Sequence, residues 1–71
     1  MNARNRDALA SLRAAYPSAQ GATRSAILAA IDTHPLWVAL EFCDDRMTAD
    51  PANAEFWRRL AGSLRKARGM I

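Results

Sequence analysis

The sequence predicts a small all-α fold, a three- to four-helix bundle or a set of helical hairpins, and three observations support this prediction. Apolar residues recur at helical spacing in four segments, and prolines, glycines and short polar turns separate those segments. The segment LWVALEFC would also suit a strand, but the chain offers no second strand to pair with it. The 71 residues suffice for a single domain, residues 1–71.

A domain of this size has a marginal core, because it buries only about 60% of the surface that its unfolded chain exposes. Small domains are usually stabilised by disulfides, by a metal or by a partner chain. The single Cys43 excludes an internal disulfide, and together with the single His34 it falls short of four zinc ligands. We therefore expect a second copy of the chain to complete the bundle as a homodimer.

The first helix is predicted at about residues 5–15. Its large apolar residues share one face: Leu9, Leu12 and Tyr16. Asn2 or Asn5 is expected to cap its start. Pro17 ends it, because a proline disfavours helical backbone in the residue that precedes it.

The second helix is predicted at about residues 22–31. Its large apolar residues are Ile27, Leu28 and Ile31, and most of its other residues are alanines. Because small side chains allow a neighbouring helix to approach closely, we expect this helix to pack inside the domain.

The third helix, predicted at about residues 35–47 with Pro35 in its first position, is apolar on two sides. One side carries Leu36, Leu40, Cys43 and Met47, and the other carries Val38 and Phe42, with Trp37 beside the first. Four helices in so short a chain are not expected to surround it. Either Trp37 and Phe42 pack beneath the first or fourth helix, or one face of this helix binds another chain.

The fourth helix, predicted at about residues 51–68, is the clearest amphipathic segment. Asp50 is expected as its N-cap and Pro51 as its first residue. Its apolar face carries Phe56, Trp57, Leu60, Leu64 and Ala67, and the opposite face carries Arg58, Arg59, Arg65 and Lys66.

The stretch DPANAEFWRRLAGSLRKARG resembles the first helix of a tetratricopeptide repeat. Trp57, Leu60, Ala61 and Leu64 match the positions that the repeat uses for its tryptophan, leucine, small residue and aromatic residue. The resemblance covers this stretch alone, and no other part of the chain repeats the pattern. It implies a module that binds a peptide or a protein.

Charge is distributed in three blocks. Residues 1–31 have a net charge of +3, residues 32–57 of −5 and residues 58–71 of +5, so the overall +3 conceals an acidic middle and a basic end. Such alternation suits a partner surface of opposite sign, whether on another protein or on a second copy.

The sequence shows little that could support catalysis. A lone histidine lies at a helix start, Cys43 lies on an apolar stripe where a small buried side chain is expected, and no glycine-rich phosphate loop is present. The acidic segment lacks the glycine and the terminal glutamate spacing of a calcium loop. We therefore expect a non-enzymatic protein with no cofactor and no metal.

Two classes of function remain, and the first is a protein-binding module that acts as an adaptor, a regulator or an inhibitor. Its expected contact residues combine aromatic anchors with the acidic segment: Trp37, Glu41, Phe42, Asp44, Asp45 and Asp50. These residues suit a partner with a basic surface. Small Ala- and Arg-rich proteins without catalytic groups are similar in type to phage-encoded inhibitors of host or defence machinery, including anti-CRISPR proteins.

The alternative class is nucleic-acid binding through the basic face of the last helix, with Arg58, Arg59, Arg65, Lys66 and Arg68 on phosphates. Membrane association is not expected, because no apolar run approaches the roughly 20 residues of a membrane span. Asp7 and Arg13 interrupt what would be a signal peptide, and one unpaired cysteine is typical of a reducing compartment. We therefore expect a cytoplasmic protein.

Overall fold

The computed structural model describes residues 3–69, and within that range the chain is helical and contains no strand. Its elements are α1 (Ala3–Ala15), α2 (Arg24–Asp32), α3 (Leu36–Ala49), a 3-10 turn (Pro51–Asn53) and α4 (Ala54–Ala67). The all-α prediction is confirmed. The strand alternative for LWVALEFC is wrong, because that segment forms most of α3.

Local capping explains where the helices begin and end. Thr23 caps α2, since its side-chain oxygen accepts a hydrogen bond from the backbone N–H of Ala26 at 3.1 Å. Pro35 precedes α3 in an extended conformation instead of occupying the first helical turn. Of the two expected caps of α1, Asn5 lies inside the helix, and Asn2 lies outside the described residues.

The third helix is the centre of the bundle, because α3 packs against α1, α2 and α4. Its buried residues come from both of its apolar sides: Val38, Ala39, Phe42, Cys43 and Arg46. The expectation that four short helices could not surround this helix is therefore wrong for most of its circumference. Both apolar sides are covered largely by the chain's own helices, while Trp37 stays exposed.

The core is built around the indole of Trp57, which is fully buried. The rings of Phe42 and Phe56 meet it edge to face, with centroids 5.6 and 5.2 Å away and interplanar angles of 85°. Phe42 is also fully enclosed, and so are Ile27, Ile31, Leu60, Leu64, Val38 and Cys43. One indole therefore joins α3 to α4. The apolar face predicted for the last helix is confirmed at Phe56, Trp57, Leu60 and Leu64, but Ala67 is exposed.

Replacement of Trp57 by alanine tests this arrangement. Truncation of a buried aromatic side chain costs about 3–5 kcal/mol. A chain of this length has a total stability of about 4–11 kcal/mol, so we expect Trp57→Ala to lose most of its fold. Urea unfolding followed by circular dichroism measures the loss. Trp37→Ala is the control, with an expected change within about 0.5 kcal/mol because that side chain is exposed; equal effects of the two substitutions would contradict the core described here.

Candidate functional site

The outer side of α3 carries an exposed aromatic residue next to two exposed acids. Trp37 is 45% exposed, the one large apolar side chain between residues 3 and 69 that is classed as exposed. Glu41 and Asp44 follow it at i+4 and i+7, so all three lie on one face of the helix. We call Trp37, Glu41 and Asp44 the Trp37 face.

The two acids of the Trp37 face have no hydrogen-bonding or ionic partner within the described part of the chain. The partly buried Leu36 and Leu40 pack against the core and flank Trp37. The surface thus combines an apolar centre with free negative charge. Sequence reasoning placed all three residues of this face among the expected contact residues.

Phe42 does not belong to this surface. Its side chain is 0% exposed and packs against Trp57, because its position at i+5 from Trp37 turns it towards the centre of the bundle. The expectation that Phe42 contacts a partner is therefore corrected, and its role is to fill the core. Cys43 is likewise buried, as expected, and burial raises the pKa of its thiol to about 11.

Asp45 is held by two arginines instead of facing solvent alone. It pairs with Arg13 of α1 at 3.1 Å and with Arg46 beside it. Burial opposes ionisation, but the hydrogen bond and charge of Arg46 and the charge of Arg13 outweigh it, so the pKa of Asp45 lies below its usual value. Its carboxylate is engaged in tying α1 to α3 and is not free for a partner.

Arg46 is a buried cation that the sequence pattern did not reveal. It is only 8% exposed, its guanidinium lies 5.8 Å from the centre of the Phe42 ring, and its Nη1 donates to the carbonyl oxygen of Pro17 at 2.9 Å. Its Nε donates to Asp45 at 3.0 Å. Arg46 therefore satisfies its donors internally and fastens the turn after α1 to α3.

Asp50 also holds the fold together. One of its carboxylate oxygens, Oδ2, accepts hydrogen bonds from the indole N–H of Trp57 and from the backbone N–H of Ala19, each at 3.0 Å, and Asn53 donates to the same carboxylate. Asp50 occupies the N-cap position before the 3-10 turn, and Pro51 is the first residue of that turn, as predicted, but the side chain of Asp50 makes no cap hydrogen bond. We call Asp50, Trp57 and Ala19 the Asp50 clasp.

The basic face of α4 divides into engaged and free cations. Arg58 and Arg59 both pair with Glu55, the latter at 3.1 Å, while Arg65 and Lys66 are exposed and have no ion pair within the described range. Arg68 is engaged at a different place in the fold, near the end of α2. Its Nη2 donates to the backbone carbonyls at the end of α2 and just beyond it, and it pairs with Asp32 at 3.2 Å, so it acts as a tether between α2 and α4.

Metal ligands, cavities and membrane-spanning helices are further features that could indicate a function. Residues 3–69 contain no group of three or more His, Cys, Asp or Glu side chains that could hold a metal. A shallow groove of about 450 Å³ lies between α1 and the turn before α3, and its walls contain neither an acid nor a cysteine. The lining residues are Arg4, Asn5, Ala8, Thr33, His34 and Pro35. No helix in the described part is both long and apolar enough to cross a membrane.

Comparison of the chain with protein-family models, with curated proteins and with solved structures returned no match. The likeness of the last helix to a tetratricopeptide helix thus has no support from a family model. In the structure this helix packs mainly against the helix that precedes it. The function of the protein is therefore inferred from the surfaces of the chain itself.

The Asp50 clasp predicts how stability depends on acid. The hydrogen bond from Trp57, followed by that from the N–H of Ala19, lowers the pKa of Asp50 from 3.8 to about 2. A carboxyl whose pKa is lowered by folding stabilises the native state above the pKa of the unfolded chain, and this stabilisation is lost as the pH falls towards the native value. We expect the free energy of unfolding to fall between about pH 4 and about pH 2.

Urea unfolding at a series of pH values checks this expectation, with Asp50→Asn as the variant. The amide does not titrate, so the variant should be less stable at neutral pH and should show a shallower loss of stability in acid. A smaller loss remains in the variant because the pKa of Asp45 is also lowered. Parallel curves for the wild type and the variant would show that Asp50 is not the titrating group.

Proposed function

We propose that the protein is a small non-enzymatic binding module that attaches to another protein through the Trp37 face. The observation that carries this proposal is the exposure of Trp37, because the other large apolar side chains between residues 3 and 69 are buried wholly or in part. An exposed tryptophan is costly to leave in water, and tryptophan is among the residues that most often dominate binding energy. The face would therefore be stabilised by a partner that covers it.

The charge of the face supports a partner with a basic surface. Glu41 and Asp44 have no partner among residues 3–69, whereas Asp45 and Asp50 are engaged in the fold. Free carboxylates beside an apolar anchor speed the encounter with a basic surface, while the anchor slows dissociation. A guanidinium or ammonium group could also lie over the indole as a cation–π contact.

A module of this kind acts by occupying a surface and not by chemistry. Adaptor, regulator and inhibitor roles all fit this description, including the inhibition of host or defence machinery by a phage-encoded protein of the anti-CRISPR type. Size and composition support the inhibitor form of the proposal. The identity of the captured protein distinguishes these roles, and the experiment below supplies it.

Two variants test the proposal: Trp37→Ala and the double charge reversal Glu41→Lys with Asp44→Lys. The wild type and each variant are immobilised separately and exposed to the same host-cell lysate. Proteins that only the wild type retains are identified by mass spectrometry. The affinity of the wild type and of each variant for the purified partner is then measured by calorimetry. We expect Trp37→Ala to cost about 2 kcal/mol or more, about thirtyfold in Kd. The charge reversal should also slow association.

The control is Asp7→Lys, which reverses an exposed acid on a different helix, α1. Circular dichroism should show that all variants keep the wild-type fold, because none of the altered side chains is buried. Asp45 is left unchanged, since its reversal would break the pairs with Arg13 and Arg46. If the proteins retained by the wild type bind the Trp37→Ala variant equally well, the proposal fails.

The homodimer expected from the sequence forms part of this proposal, and it would use the same face. Sedimentation at micromolar concentration should show a species larger than 7.8 kDa that Trp37→Ala returns to the monomer. A symmetric contact would bring Glu41 and Asp44 near their own copies, so added salt should strengthen it by screening the repulsion. Salt should instead weaken the complex with a basic partner. A wild type that sediments only as a monomer excludes the homodimer.

A further inference from the structure

A glycine lies at the centre of the basic face of α4. Gly62 is inside the helix, and its i±3 and i±4 neighbours are all exposed cations: Arg58, Arg59, Arg65 and Lys66. These positions surround residue 62 on the helix surface. The face therefore has a notch without a side chain, enclosed by four basic side chains.

The fold gives no reason for a glycine at this position. A Cβ built on Gly62 would meet no heavy atom within 4 Å, so alanine would fit without any rearrangement. A glycine in the interior of a helix costs about 1 kcal/mol relative to alanine. In contrast, Gly21 and Gly69 have positive φ angles that favour glycine, so their presence has a structural explanation. Gly62 is a destabilising choice that no packing contact requires.

Two further contacts define the charge of this surface. Arg24 reaches across from α2 and donates to the side chain of Ser63 at 2.8 Å, which brings a fifth cation next to the notch. Glu55 holds both Arg58 and Arg59 at one edge. The surface therefore carries five positive charges and one negative charge, and Arg65 and Lys66 are its free cations.

We propose that this surface, Gly62 with its surrounding cations, binds the phosphate backbone of nucleic acid. Glycine is used where a ligand must approach the protein backbone closely, and the notch would allow a phosphate to lie between the cations instead of above them. Contacts to phosphates position a protein on nucleic acid without reading its sequence. The binding is therefore independent of base sequence and strongly dependent on salt.

The four cations around Gly62 favour nucleic acid over an acidic protein surface as the ligand. The centre of a protein–protein interface is usually apolar and aromatic, and the positions around Gly62 offer guanidinium and ammonium groups instead. The exposed tryptophan lies on another helix. A site made of charge and close approach, with no apolar anchor, matches what a phosphate backbone requires. This surface is separate from the Trp37 face, and either proposal can fail without the other.

The test measures binding of a fluorescent mixed-sequence DNA duplex by anisotropy over a range of salt concentrations. We expect the wild type to bind at low salt and the affinity to fall steeply as salt rises. Arg65→Gln with Lys66→Gln should reduce the slope of log K against log salt by nearly two units, at about 0.9 per phosphate contact. Arg4→Gln with Arg6→Gln removes the same charge from α1 and should leave most of the slope intact.

The notch itself is tested with Gly62→Ala and Gly62→Gln. Both residues are better helix formers than glycine, so both variants should unfold at a higher temperature than the wild type. Their affinity for the duplex should nevertheless fall with side-chain size, by about tenfold for glutamine, comparable to the loss of one hydrogen bond to a charged group. Ala67→Gln adds a similar side chain at an exposed position outside the group of cations around Gly62, and this variant should bind the duplex as tightly as the wild type.

Opposite effects on folding and binding distinguish a binding role from a structural one. Glu55→Gln should bind more tightly, because it removes the one acid and releases two arginines. The proposal is overturned if the wild type does not bind at low salt, if Gly62→Gln binds like the wild type, or if poly-glutamate binds as tightly as the duplex. The last result would assign the surface to an acidic protein.

Discussion

The carboxylate of Asp50 and the indole of Trp57 form the interaction on which much of the structure depends. The ring of Trp57 fills the space between α3 and α4, and its N–H would be left unpaired in that core without an acceptor. Asp50 supplies the acceptor and, with the same oxygen, accepts the N–H of Ala19 in the turn after α1. One carboxylate thus orients the central aromatic side chain and fixes a loop 31 residues away in the sequence.

Three further arginine contacts complete this pattern of polar ties across the bundle. Arg46 holds the carbonyl of Pro17 next to the Asp50 clasp, Arg24 reaches Ser63, and Arg68 holds the end of α2. Arg46 thus attaches a turn to α3, while Arg24 and Arg68 join α2 to α4, where a small core offers few apolar contacts. They also engage several charges that the sequence displays. The charges that remain free include the acids of the Trp37 face on α3 and the cations Arg65 and Lys66 near Gly62 on α4.

The two free surfaces differ in the physics that each could use. The Trp37 face offers apolar area with carboxylates at its side, which suits a partner that desolvates the indole and pairs the acids. The surface around Gly62 offers charge without apolar area, which suits a hydrated polyanion. The two surfaces lie on different helices. No shared residue links the two faces.

The sequence by itself determined the helical class, the turn at Pro17, the buried face around Trp57 and the burial of Cys43, since helical spacing and proline geometry are local properties. It also named Trp37, Glu41 and Asp44 as surface residues. It did not separate them from Phe42, Asp45 and Asp50, because the partners of these three lie in other parts of the fold. Only the tertiary structure decided which apolar side chains of α3 are covered and which charges are neutralised. The reason is that burial and ion pairing depend on contacts between segments far apart in the chain, which periodicity within one helix does not encode.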